Sequence, residues 1–126
     1  MNVITAIGNP ILNEKLKNVK DVNVIGKDLP YQEGILEILD SREDIDVVIV
    51  SDILPDEYGF YNLINQIIRI KEEIEIIVFL EEKNSDIENF LNSKNIYKIY
   101  YLNEININNF INNFNAKNND FLIRNN

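Results

Sequence analysis

Apolar residues along this chain follow two patterns in turn. Short runs of neighbouring apolar positions alternate with longer stretches in which apolar residues recur every third or fourth place. Val3 to Ile7, Val22 to Ile25, Asp46 to Val50, Glu75 to Leu80 and Ile96 to Leu102 are the short runs, and they read as strands. Between them lie helical stripes: Ile11, Leu12 and Leu16; Tyr31, Ile35, Leu36, Ile38 and Leu39; Phe60, Leu63, Ile64, Ile67 and Ile68; Ile87, Phe90 and Leu91; Ile107, Phe110, Ile111 and Phe114. Asp46 to Val50 and Glu75 to Leu80 lack polar alternation, as expected of central parallel strands covered on both faces. Strands and helices in regular alternation, with short connections, predict an α/β three-layer sandwich around a five-stranded parallel sheet.

The punctuation agrees. Gly8-Asn9-Pro10 stops the first strand; Asn9 can cap the helix that follows and Pro10 suits its first turn. Asn84-Ser85-Asp86 offers cap candidates for the fourth helix. Gly26 to Pro30 reads as a plain loop, and Asp56-Glu57 as a solvated turn. The folded unit is expected to span residues 1–114. Residues 115–126, mostly polar around a Phe121-Leu122-Ile123 island, are expected to be a tail or the start of a linker.

Composition narrows the function. The 126 residues carry a formal net charge of −9, with no basic run to offset it. That field opposes contact with nucleic acid or anionic membrane, so neither is expected as a partner. The chain has no Cys and no His. Disulfides, thiolate chemistry, histidine-based triads and His-ligated zinc are thereby excluded. No apolar run approaches the ~20 residues of a membrane span, and the start lacks a basic signal-peptide region, which points to the cytoplasm. Neither GxGxxG nor GxxxxGK[ST] occurs, so no phosphate-binding loop is expected.

An open parallel sheet binds ligands outside the carboxyl ends of its strands, near the switch point between the first and third. Gly8, Asn9, Ser51, Asp52, Leu80, Glu81, Leu102 and Asn103 would surround such a site. There the stretch DVVIVSDILPDEYGF, Asp46 to Phe60, resembles the end of the third strand in response-regulator receiver domains. In that family the phospho-accepting Asp stands four residues before the Pro and eight before the Gly. Counting back from Pro55 and from Gly59 leads to Ser51. The resemblance covers Val3 to about Phe114 and implies a CheY-like, flavodoxin-like fold with strand order 2-1-3-4-5.

The resemblance also implies a set of functional positions, and they are changed here. Gly8-Asn9 stands for the acidic pair that holds Mg²⁺, Ser51 for the acceptor, Leu80 for the Thr or Ser that ends the fourth strand, and Leu102 for the Lys after the fifth. Mg²⁺ needs several hard oxygen ligands, and a serine without a base is a poor nucleophile. The expectation is therefore a degenerate site with no metal, no cofactor and no catalysis. Asp52 is the one possible acceptor. In a pleated strand it would point away from the side that Ser51 faces, unless a bulge re-aims it. Its other reading is a carboxylate that caps or solvates the strand end.

Tyr97, Tyr100 and Tyr101 crowd the fifth strand, which the receiver order places at a sheet edge. Alternation sends Tyr97 and Tyr101 to one face and Tyr100 to the other. They read either as cover for the sheet or as an interface, since Tyr buries area while keeping a polar tip. The segments ITAIGNPILNEKL, PYQEGILEIL and VVIVSDILP look like the atypical receiver at the front of TadZ/CpaE-type pilus-assembly ATPases. That likeness implies a phosphorylation-independent module acting by protein contact, as a homodimer or with a ParA/MinD-like ATPase domain. The alternatives are a response regulator phosphorylated at Asp52 and a small nucleotide- or flavin-binding protein.

Overall fold

The computed structural model describes residues 1–55 and 59–114. The turn carboxylates Asp56 and Glu57, and the tail or linker expected over residues 115–126, lie outside the described residues. In chain order the elements are β1 (Asn2–Ala6), α1 (Pro10–Leu16), β2 (Asn23–Val24), α2 (Glu33–Ser41), β3 (Val47–Ser51), α3 (Phe60–Ile70), β4 (Glu75–Leu80), α4 (Ser85–Ser93) and β5 (Ile99–Tyr101). A final helical stretch covers residues 107–114. The strands form one parallel sheet in the order β2-β1-β3-β4-β5, the order implied by the sequence.

Two cores, one on each face, follow from the period of two along each strand. Ile4, Ala6, Val48, Val50, Ile76, Val78 and Leu80 point to one side, where Ile35, Leu39, Leu63, Ile64, Ile67 and Leu91 of α2, α3 and α4 cover them. Val3, Val47, Ile49, Ile77 and Phe79 point to the other, under Leu12 and Leu16 of α1 and Phe110 and Phe114 of the last helical stretch. Both sides of β3 are thus buried, which is why its sequence shows no polar alternation.

The edge strands are shorter than their apolar runs. Ile96 is consumed by the end of α4: its N–H reaches Leu91 O at 2.9 Å and the N–H of Asn95 reaches Asn92 O at 3.0 Å. Asn95 is left-handed at φ 63°, so the turn is a Schellman closure and β5 begins only at Ile99. On the opposite edge β2 pairs at Asn23 and Val24 alone, before Gly26 (φ 72°) turns the chain out.

The second core is closed by aromatic rings. Phe79 meets Tyr100 at 5.5 Å and Phe110 at 5.0 Å between ring centroids, and Tyr100 meets Phe110 at 5.1 Å, all edge to face. Burial there pushes the Tyr100 phenol above its ordinary pKa. Phe79→Ala should remove the hub of this cluster and cost about 3–5 kcal/mol. Urea unfolding of the variant should show a lower midpoint with an unchanged slope.

Candidate functional site

At the carboxyl ends of the strands, the loop after β2 does more than connect. Past Gly26 the chain returns to β1, with Leu29 N–H on Thr5 O at 2.8 Å, and this carries Asp28 over the end of β1. The Asp28 carboxylate accepts from Thr5 Oγ1 at 2.6 Å and Ile7 N at 3.1 Å through Oδ1. Through Oδ2 it accepts from Gly8 N at 2.9 Å and Asn9 N at 3.2 Å. The buried Asn13 donates to Thr5 Oγ1 at 2.9 Å, and Asn9 Oδ1 caps α1 by accepting from Leu12 N at 3.2 Å. Gly8-Asn9 therefore serves as a turn whose amides are held by a remote carboxylate.

Gly8 also brings two loops together. Its φ is 71°, and a Cβ there would lie 3.4 Å from Leu54 Cδ2 and 3.5 Å from Ile53 Cδ1. These are the residues that follow Asp52. Ser51, where the receiver spacing places the acceptor, is fully buried, and its Oγ accepts from Ile53 N at 3.2 Å. β3 ends at Ser51, so Asp52 already stands in the turn and strand alternation does not set its direction. The half-buried Asp52 accepts through Oδ1 from Glu81 N, just past β4, at 3.0 Å.

Beneath this turn lies Gln32. It donates through Nε2 to Ser51 O at 3.0 Å and to Leu54 O at 3.1 Å. The helical stripe led us to place Tyr31 inside; instead Tyr31 is 59% exposed and Gln32 1%. Neither Gln32 nor Asp28 was singled out from the sequence. Asp28 left only a weak signal, a lone carboxylate between a Gly and a Pro at the strand-end side of the sheet.

The remaining candidates take apolar roles or separate. Leu80 is fully buried in the first core, and Leu102 packs against the second. Tyr100 belongs to the aromatic cluster. Tyr101 packs on the first core and donates its O–H to Glu88 of α4. Tyr97 lies before β5, is 67% exposed and donates to Asn95 Oδ1 at 3.3 Å. Among the described residues, no group of three or more His, Cys, Asp or Glu could hold a metal. The Asp28 carboxylate at the carboxyl end of β1 is saturated by its four donors, so among the described residues the donor set there does not fit Mg²⁺.

No protein-family model and no curated protein matches the chain. Solved structures do. The RcsB response regulator of Salmonella typhimurium superposes with a TM-score of 0.71 at 28% identity, covering 82% of this chain and 54% of its own. The isolated REC domain of RcsB from Salmonella enterica serovar Typhimurium, solved with the phosphomimetic BeF₃⁻, gives 0.71 at 25% identity over 83% and 79%. RcsB from the same serovar, bound to promoter rprA with BeF₃⁻, gives 0.70 at 28% identity over 83% and 61%. This chain has the receiver fold of the response regulators. It spans about half the length of the first of these proteins. A receiver is a signalling module built to accept a phosphoryl group, not an enzyme.

Three expectations are corrected. The pilus-assembly ATPase reading is not supported: a putative pilus assembly-related protein from Burkholderia pseudomallei matches at TM-score 0.66 but only 9% identity, which is a likeness of fold alone. That resemblance had rested on strand and helix segments that any receiver needs. The phosphorylation-independent reading is overturned by the phosphomimetic complexes of RcsB. It inferred lost chemistry from changed positions without the geometry that places Asp52 beside the β4 end. The exclusion of nucleic acid is overturned by RcsB on promoter DNA. It took the charge of 126 residues as decisive, whereas the matched DNA-binding protein extends well beyond the superposed part.

Among the described residues no helix is long and apolar enough to cross a membrane.

Asp28→Ala should strip an acceptor from three backbone amides and a hydroxyl at once, costing about 3 kcal/mol. Asp28→Asn keeps one oxygen and should cost less. Chemical unfolding of both variants beside the wild type tests the ordering.

Proposed function

We propose that the chain is the phospho-accepting receiver of a cytoplasmic response regulator, with Asp52 as acceptor. The observation that carries this is the placement of Asp52: past the end of β3, half-buried, with its carboxylate turned to the β4 end. Ser51 is the wrong residue for the task, since its hydroxyl is fully buried and occupied by the Ile53 amide. Oδ1 of Asp52 is committed to the Glu81 N–H, which assigns the attack to Oδ2. Oδ2 attacks the phosphorus of a phosphodonor such as acetyl phosphate. The phosphorus–oxygen bond of the mixed anhydride breaks, acetate leaves, and an acyl phosphate forms with no proton to move. The Glu81 N–H stays on Oδ1, which becomes the carbonyl oxygen of the acyl phosphate.

Incubation of the full chain with acetyl phosphate, with and without Mg²⁺, should add one phosphoryl mass that hydroxylamine removes and Asp52→Asn abolishes. Absence of labelling, or labelling that survives Asp52→Asn, sinks the proposal. The RcsB promoter complexes support DNA as the downstream target. With a net charge of −9 over its 126 residues the chain repels a phosphate backbone, so this reading assigns the contact to protein surface other than the receiver fold.

The interface reading narrows, in this proposal, to Tyr97. Its ring is exposed while Tyr100 and Tyr101 are packed against the two cores. Tyr97→Asp should leave stability within about 0.5 kcal/mol of wild type. The same change should reduce concentration-dependent self-association in light scattering, and an unaltered scattering profile removes Tyr97 from the interface.

A further inference from the structure

Gln32 makes a pattern of contacts that a structural filler has no need of. It sits immediately before α2 as its N-cap residue, is 1% exposed, and makes no side-chain cap bond to the helix. Its amide nitrogen instead donates to the carbonyls of Ser51 and Leu54, one on each side of Asp52, at 3.0 and 3.1 Å. Its own N–H approaches Pro55 O at 3.5 Å. Among the described residues the buried amide oxygen has no hydrogen-bond partner. Flipping the group would set that oxygen against two carbonyl oxygens, so the orientation is fixed by the donors.

We infer that Gln32 is a positioning residue for Asp52, clamping the backbone on both flanks of the acceptor and coupling its reactivity to the start of α2. This deepens the phospho-acceptor reading and rests on it. No other natural side chain of this size offers two N–H donors from one planar terminus. Met fills the space with none. Glu offers one O–H when protonated and only repulsion towards the carbonyls when ionised, and burial raises its pKa.

The test measures acetyl phosphate labelling of the full chain at acid and neutral pH, with the folded fraction followed by circular dichroism. Gln32→Met should slow labelling at Asp52 about tenfold or more at every pH, since misplacement of a reacting group carries penalties of that size. Gln32→Glu should be slow at neutral pH and recover on acidification relative to wild type, a dependence that a mere packing role would not produce. Labelling of Gln32→Met at the wild-type rate, or a Gln32→Glu profile parallel to wild type, overturns the inference and leaves the acceptor reading intact. If Gln32→Met fails to fold, the acid recovery of Gln32→Glu decides alone. If the wild type does not label, the acceptor reading falls, and hydrogen exchange at the Ile53 amide then decides. Faster exchange in Gln32→Glu at neutral than at acid pH, after correction for intrinsic rates, supports the clamp, and equal protection overturns it.

Discussion

One carboxylate holds the functional end of this sheet together. The backbone amides just past a parallel strand have no ladder partners, and past β1 those of Ile7, Gly8 and Asn9 converge on Asp28 together with the Thr5 hydroxyl. Through that contact the edge segment after β2 is pinned to β1, and the β1–α1 turn is held in a shape that only a residue comfortable at positive φ can occupy. Gly8 in that shape lies close under Leu54 and Ile53 without a side chain between, so the turn carrying Asp52 neighbours the one closed by Asp28. The receiver resemblance implies acids that leave the β1 end and point outward to a cation. Here the acid arrives from a neighbouring loop and points inward to amides.

The geometry around Asp52 follows from where β3 ends. Ser51 occupies the last position of β3 and ties off the turn by accepting from Ile53 N. The carboxylate is thereby moved off the strand into the turn, where the Glu81 amide receives it. A spacing rule that assumes a pleated strand through Asp52 does not foresee this placement, because it counts residues and not the backbone path.

The fold was readable because its signals are periodic. The β3 and β4 runs, the α3 stripe and the Asn9 and Asn84 caps all lie where propensity, pattern and capping agree. The edges were less readable: Ile96 is apolar enough for a strand but is taken by the closure of α4, and the β2 register stops at Val24 although the Ile25 N–H still reaches Val3 O. The site was harder still. Asp28 and Gln32 act on backbone groups distant in sequence, and a partner that is a carbonyl or an amide leaves no mark in a residue pattern. Tyr31 and Gln32 exchange the places that hydropathy assigns them because the buried one is chosen for its donors.

The lengths of the strands grade the sheet from its middle outwards. β1, β3 and β4 are joined by four- and five-residue registers, while β2 contributes two paired residues and β5 three. Short outer strands give a neighbouring molecule little ladder to extend, a protection against edge-to-edge aggregation. They also confine slow opening to the centre. Protons on the amides of β3, flanked by neighbours on both sides, exchange only when the whole domain opens, whereas both rims breathe at lower cost. Asp52 follows the central strand directly, so the turn that carries it is anchored in the slowest-opening part of the sheet and the loosest elements lie farthest from it, at the rims.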